Sequence, residues 1–261
     1  MLPETPQTIG GVLDAGIKLF RQTFKGVLPV AALFAALMAV LSIATTNNGS
    51  YEALLVGDPT GFTPAIFGLF IVNGFIFLLF IIAVAQRQWG LALGRERSLV
   101  TDIGRSLQLL IPVAFASIVY YLCMVLGLLL LLVPGLIVAV TMGLFLVVPI
   151  VEERVAWFAP FRSHRMVWNG SFWRTAAVMT VLLIVIMAIS IAAQLLIGAQ
   201  QGFAMLTEPA KPSVLAQVLG AALAVLLYPI MTAVMLVTYH DAKLRKEGDD
   251  LDSRLAELDA T

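Results

Sequence analysis

Six stretches of this chain run for 18 to 26 residues with almost no charge: 27–45, 64–85, 109–132, 134–151, 172–197 and 214–239. A bilayer core about 30 Å thick takes roughly 20 helical residues at about 1.5 Å each, so each run is close to one crossing. Composition excludes the alternative of buried helices in a water-soluble globule. Here 60% of the 261 residues are hydrophobic and 12% are charged, against about 45–50% and roughly 25% in soluble domains. A globule of this size cannot hide that much apolar side chain from water. The sequence therefore predicts an all-α polytopic membrane protein with six transmembrane helices in one membrane domain, 1–247. A short acidic tail, 248–261, follows it. The fourth run is the shortest and follows the third across Val133-Pro134-Gly135. That Pro-Gly pair reads as a tight turn between two antiparallel helices, and the rival reading is a re-entrant hairpin that dips in and returns.

Orientation follows from where the cations fall between the runs. Lys18, Arg21 and Lys25 precede the first run, and Arg87, Arg95, Arg97 and Arg105 lie between the second and third. Arg154, Arg162, Arg165 and Arg174 surround the start of the fifth, and Lys243, Arg245, Lys246 and Arg254 follow the sixth. The other side carries Lys211 beside Glu52, Asp58 and Glu208. Fifteen cations against one predict that both termini are cytoplasmic. The opening residues Met1-Leu-Pro-Glu-Thr-Pro-Gln7 carry no basic n-region, so the first span is expected to be retained rather than cleaved.

The cytoplasmic segments have helical periodicity of their own. In 8–24, Ile9, Val12, Leu13, Ile17, Phe20 and Phe24 share one face and Asp14, Lys18, Arg21 and Gln22 the other. Thr5-Pro6 is the expected cap and first-turn proline. In 98–110 the stripe is Val100, Ile103, Leu107 and Leu110, with Ser98 as cap and Asp102 near the favourable N-terminal end. In 157–168, Trp157, Phe161, His164 and Trp168 line up against Arg162 and Arg165, the pattern of a helix at the membrane–water boundary. The expected organisation is an amphipathic interfacial helix followed by two spans, three times over, as parallel units. Leu28-Pro29-Val30-Ala31 echoes Ile111-Pro112-Val113-Ala114, whereas the third unit begins through Gly170-Ser-Phe-Trp173.

Several segments together resemble a known family. These are Thr8-Ile-Gly-Gly-Val-Leu-Asp14, Leu19-Phe-Arg21, the run from Leu128 through Pro134-Gly135 to Ile137, and Val148-Pro149-Ile-Val-Glu152. They continue with Phe161-Arg-Ser-His-Arg165, Trp168-Asn-Gly170, Phe172-Trp173 and the closing Tyr239-His-Asp241-Ala-Lys-Leu-Arg245-Lys-Glu247-Gly248. The chain is similar to the YciC-like family, which is related to the membrane domain preceding the catalytic barrel in some glycerophosphoryl diester phosphodiesterases. The closing motif of that family usually carries a second tyrosine where His240 stands. The resemblance implies a six-span bacterial inner-membrane protein. It does not bring the hydrolase activity, because that chemistry belongs to a separate barrel for which this chain has no room.

The residues themselves assemble no catalytic set. His164 and His240 are far apart, and no His-Glu-x-x-His, Gly-x-Ser-x-Gly or phosphate-cradling glycine loop occurs. His164 reads as an interfacial aromatic and His240 as the polar end of the last span. Cys123 is the single cysteine, so there is no intrachain disulfide and no Cys/His cluster for a metal. No cofactor is implied, and zero formal net charge gives no electrostatic case for nucleic acid.

Span interiors contain no carboxylate. Their polar residues are Asn73, Thr141, Ser190, Gln194, Gln217, Tyr228 and Thr232. Buried amides of this kind usually join helices; Asn73, Gln194 and Gln217 are the candidate lining of any intramembrane passage. Glu152 and Glu153 end the fourth run and Asp241 ends the sixth, with Arg162, Arg165, Lys243 and Arg245 as available partners. Ion pairs there would lock the cytoplasmic ends together; the alternative is solvated charges worth under about 1 kcal/mol. Gly198 to Gly202 has small-x-x-x-small spacing, and is equally a helix cap and loop. Leu251, Leu255 and Leu258 predict one more short helix in the acidic tail, a possible docking site for a soluble protein partner.

The expected function is non-enzymatic: a membrane scaffold or envelope and lipid-homeostasis factor whose basic helices meet anionic headgroups. The alternative is a passive transporter or lipid-moving protein with a groove between the repeat units.

Overall fold

The computed structural model describes residues 2–47, 64–95, 97–152, 156–168, 170–204 and 214–259. Glu52, Asp58, Glu153, Arg154, Glu208 and Lys211 lie outside them. Eight helices account for nearly all of what is described: α1 (Ile9–Asn47), α2 (Pro64–Ala92), α3 (Leu99–Leu130), α4 (Leu132–Met142), α5 (Val148–Glu152), α6 (Ala159–Trp168), α7 (Phe172–Ala204) and α8 (Val214–Asp259). Short 3₁₀ turns, Gly143–Leu146 and Ala156–Phe158, flank α5. Five of these helices are long and apolar enough to cross a membrane, α1, α2, α3, α7 and α8. That is the form of a multi-pass integral membrane protein.

The first two amphipathic segments are not separate elements. α1 runs unbroken through Pro29 and α3 through Pro112. A helix-interior proline removes one hydrogen bond and crowds the preceding turn; here burial on the following turn offsets that cost. Val27, Val30 and Ala31 are fully buried against Phe80, Ala83 and Val84 of α2. Val113 and Ala116 are fully buried in the main core. The cap of α1 is Thr8, whose hydroxyl accepts from the Gly11 amide at 3.1 Å, and not Thr5-Pro6. Ser98 caps α3 by accepting from the Thr101 amide at 3.2 Å. α7 continues through Gly198 and Gly202, so that pair is neither cap nor loop. α8 is continuous to Asp259, so the tail is no separate helix but the end of the last one.

The turn between α3 and α4 also falls elsewhere than the Pro-Gly pair. A single extended residue, Leu131 (φ −168°, ψ 155°), ends one helix and starts the other. Pro134 then sits in the first turn of α4, where backbone N–H groups have no intrahelical partner to lose. Gly135 instead serves the approach of the two helices. A Cβ on Gly127 would stand 2.9 Å from the Gly135 Cα, and one on Gly135 would stand 2.5 Å from Leu128 Cγ. The return arm is short, because α4 has 11 residues before the 3₁₀ turn and α5 follows only after it.

Packing is uneven along the bundle. The main core joins Ala233 to Ala242 of α8, Ile82 to Ala92 of α2, Leu144 to Ile150, and Ala159, Met166 and Val167 of α6. α1 and α8 form the most extensive helix pair. They approach closely at Gly16, where a Cβ would meet Val234 Cγ2 at 2.7 Å. α7 is the loosest member, with Leu183, Ile184, Ile191 and Leu195 all largely exposed. Such exposure on a helix of this hydropathy is what lipid contact requires.

Candidate functional site: polar bridges at one end of the bundle

The polar side chains of the core gather at the end where α2 finishes, α3 and α7 begin and α8 leaves the apolar region. Three carboxylates organise it, and each ties together segments remote in sequence.

Asp102, in the first turn of α3, is 1% exposed and its Oδ2 lies 2.9 Å from Arg87 Nη1. Arg87 also donates through Nε to the Gly26 carbonyl at 3.2 Å and through Nη1 to the Arg97 carbonyl. One guanidinium thus joins α1, α2 and the α2–α3 connection. Asp102 Oδ1 is buried and has no hydrogen-bond partner among the described residues.

Glu152 closes α5. Its Oε1 accepts from the Tyr239 hydroxyl of α8 at 2.6 Å, and Oε2 pairs with Arg162 of α6. Tyr239 is fully buried, whereas the Arg162 side chain is 56% exposed. The hydrogen bond it donates to Glu152 holds the Arg162 guanidinium above the ordinary arginine range, against the opposing effect of desolvation. A raised cationic pKa stabilises fully below the ordinary value and is lost only as pH rises through the raised one. Arg162 therefore stays charged through any pH the folded chain meets.

Asp241 holds the N-terminal strap. Its Oδ1 accepts from the Gln7 amide at 2.6 Å, and Oδ2 lies 3.1 Å from Arg245 Nε and 3.8 Å from Arg174 Nη2. The Gln7 carbonyl accepts from Arg245 Nη2 at 2.7 Å and from Arg174. Both backbone groups of Gln7 are thereby tied to α7 and α8. His240 adds a 3.0 Å contact between Nε2 and the Pro3 carbonyl, and its ring lies 6.1 Å from that of Trp89.

Deeper in, Gln88 is fully buried and donates to the Pro229 carbonyl at 2.7 Å while accepting from the Thr232 hydroxyl at 2.6 Å. Ser163 of α6 donates to the Thr141 carbonyl of α4 at 2.7 Å.

Of the candidate rim residues, the structure puts Glu152 with Arg162 and Asp241 with Arg245. Arg165 is exposed and stands outside these bridges; Lys243 is half-buried and has a contact of its own. Sequence reasoning missed Arg174, Tyr239, Gln88 and the Arg87–Asp102 pair. The signal for two of them was present: α2 continues to Ala92, so Arg87 and Gln88 are helical and packed rather than part of a loop. Asn73 and Gln217 line one space of about 310 Å³ among α1, α2 and α8, together with Ser42 and Tyr228. Gln194 is not among them; it is exposed on α7. His164 stacks on Trp168 with ring centroids 5.5 Å apart. Among the described residues no three His, Cys, Asp or Glu side chains gather as a metal site. No protein-family model, curated protein or solved structure matches this chain.

Proposed function

We propose that this chain is a non-enzymatic scaffold of the bacterial inner membrane, with both termini cytoplasmic and its cation-rich end against anionic headgroups. The observation that carries the reading is the polar lattice itself. Asp102, Glu152 and Asp241 spend their charge on holding helices together, and each is buried among donors that belong to other segments. A working site would leave such a group poised toward a cavity; these are consumed by structure. Arg165, exposed and outside those pairs, is placed to meet lipid phosphate at about 1 kcal/mol. The resemblance to the YciC-like family bears on the membrane location alone.

In this reading α1, α2, α7 and α8 cross the bilayer, and the α3–α4 hairpin dips in and returns. Support comes from its tip, where Leu129, Leu130 and Leu131 are 77%, 76% and 70% exposed with no polar residue among them. A water-facing turn built of leucine alone would be strongly disfavoured. Hydrocarbon suits it. Both ends of the hairpin stay on the cation side, as the charge distribution asks.

The test uses spin-labelled lipids around the reconstituted chain. A phosphatidylglycerol label should show a larger motionally restricted fraction than phosphatidylcholine, and the difference should shrink as salt rises. Equal fractions at low salt would overturn the headgroup role.

A second reading, passive passage of a small solute, draws on the space lined by Asn73 and Gln217. Solute flux through liposomes carrying the chain, abolished by Asn73→Leu, would favour it.

A further inference from the structure

A larger groove lies between α4 and α7, about 750 Å³. Its α4 wall is Leu136, Ile137 and Val140, and its α7 wall is Ala176 and Thr180. At its rim stand Trp168, Trp173 and Arg174. The volume is within the range of small-molecule sites, roughly 300–1,000 Å³, but it is open at the side: Leu136 is 55% exposed and Trp173 82%. An aliphatic channel open to the bilayer fills with hydrocarbon rather than water.

Three further observations specify which hydrocarbon. The lining on α4 is short: it runs from Val133 to Val140, about 10 Å of helix, under half of the roughly 30 Å core. The groove is therefore one leaflet deep. Its rim is aromatic, with His164, Trp168, Phe172 and Trp173 in successive ring contact at 5.5, 5.9 and 5.1 Å, and such rings settle at headgroup level. The rim is also cationic. Among the described residues Asp241 is shared by Arg174 and Arg245, one carboxylate to two guanidiniums. The bonds of Arg174 to Gln7 and Asp241 both run through Nη2, one nitrogen of a guanidinium with five donors.

We propose that the α4–α7 groove is a binding site for an anionic phospholipid of the cytoplasmic leaflet. One acyl chain lies along Leu136, Ile137 and Val140, and the phosphate is held at Arg174. The site deepens the headgroup-contacting role proposed above and rests on the same orientation. It adds a defined, saturable position to what is otherwise a general electrostatic attraction.

Thermal unfolding of the full chain in a mild detergent tests it, with phosphatidylglycerol, phosphatidylcholine of the same chains, or inorganic phosphate added. A ligand bound only to the folded state at a hundredfold excess over its Kd raises the midpoint by roughly 5 °C or more. That rise is expected with phosphatidylglycerol and with neither of the other two. Leu136→Trp, which fills the groove away from the polar lattice, should abolish it. Thr180→Phe does the same from the opposite wall and serves if Leu136→Trp fails to fold. Phosphatidylcholine or phosphate matching phosphatidylglycerol would overturn the site, and so would a groove-filled variant that keeps the full rise. The spin-label difference described above should survive Leu136→Trp, so loss of this site and failure of the wider headgroup role give different results.

Discussion

Asp102 shows how a residue's role changes when its helix is placed. In the sequence it is a favourable carboxylate at a helix start; in the fold it is turned inward, with Arg87 as its ion-pair partner. Taking a charge out of water costs several kcal/mol, and only a well-made pair offsets it. Removing one partner is therefore severe. Asp102→Ala should lower stability by about 3 kcal/mol, the lower end for a broken buried pair because Arg87 is 15% exposed. Chemical denaturation in mixed micelles would measure it, and a change within about 0.5 kcal/mol would mean the pair is solvated. The same inward turn explains why Arg174 escaped sequence reasoning: nothing local ties it to Gln7 or Asp241, which lie far away along the chain.

At the scale of elements, the long helices were legible because hydrophobic runs of this length have one physical solution in lipid. Their limits were less so. The amphipathic segments 8–24 and 98–110 read as helices apart from the spans that follow, yet packing carried α1 and α3 straight through. The hairpin turn fell at Leu131 because Gly127 and Gly135 let two backbones approach, which is a property of the pair and not of either residue alone. The polar rim is the counterpart: its residue types were readable, but their partners depend on which helices meet. In the proposed arrangement the hairpin tip lies inside the hydrocarbon. A Leu131→Cys variant, built on Cys123→Ser, should resist a membrane-impermeant maleimide applied from the periplasmic side until detergent is added. Ser50→Cys and Ser213→Cys, in the two connections on the Lys211 side, are the positive controls. Labelling of Leu131→Cys as fast as those controls would mean that the hairpin crosses.

As a whole, the molecule is held at one end. Its buried core and its charged bridges coincide around Ala233 to Ala242 of α8, while α7 is largely left to lipid. Such an arrangement fits a protein whose polar end is fixed and whose apolar flank meets lipid chains. The claim on which this depends is that the rim carboxylates bind the helices together rather than sit solvated at the surface. Glu152→Gln tests it most directly, because it keeps the shape and removes the charge that Tyr239 and Arg162 share. Loss of a charge-assisted hydrogen bond to a buried group costs about 1–2 kcal/mol, which lowers a melting midpoint by roughly 2–8 °C in a chain of this size. The thermal midpoint of the detergent-extracted Glu152→Gln chain should fall by that amount relative to wild type; an unchanged midpoint would contradict the account.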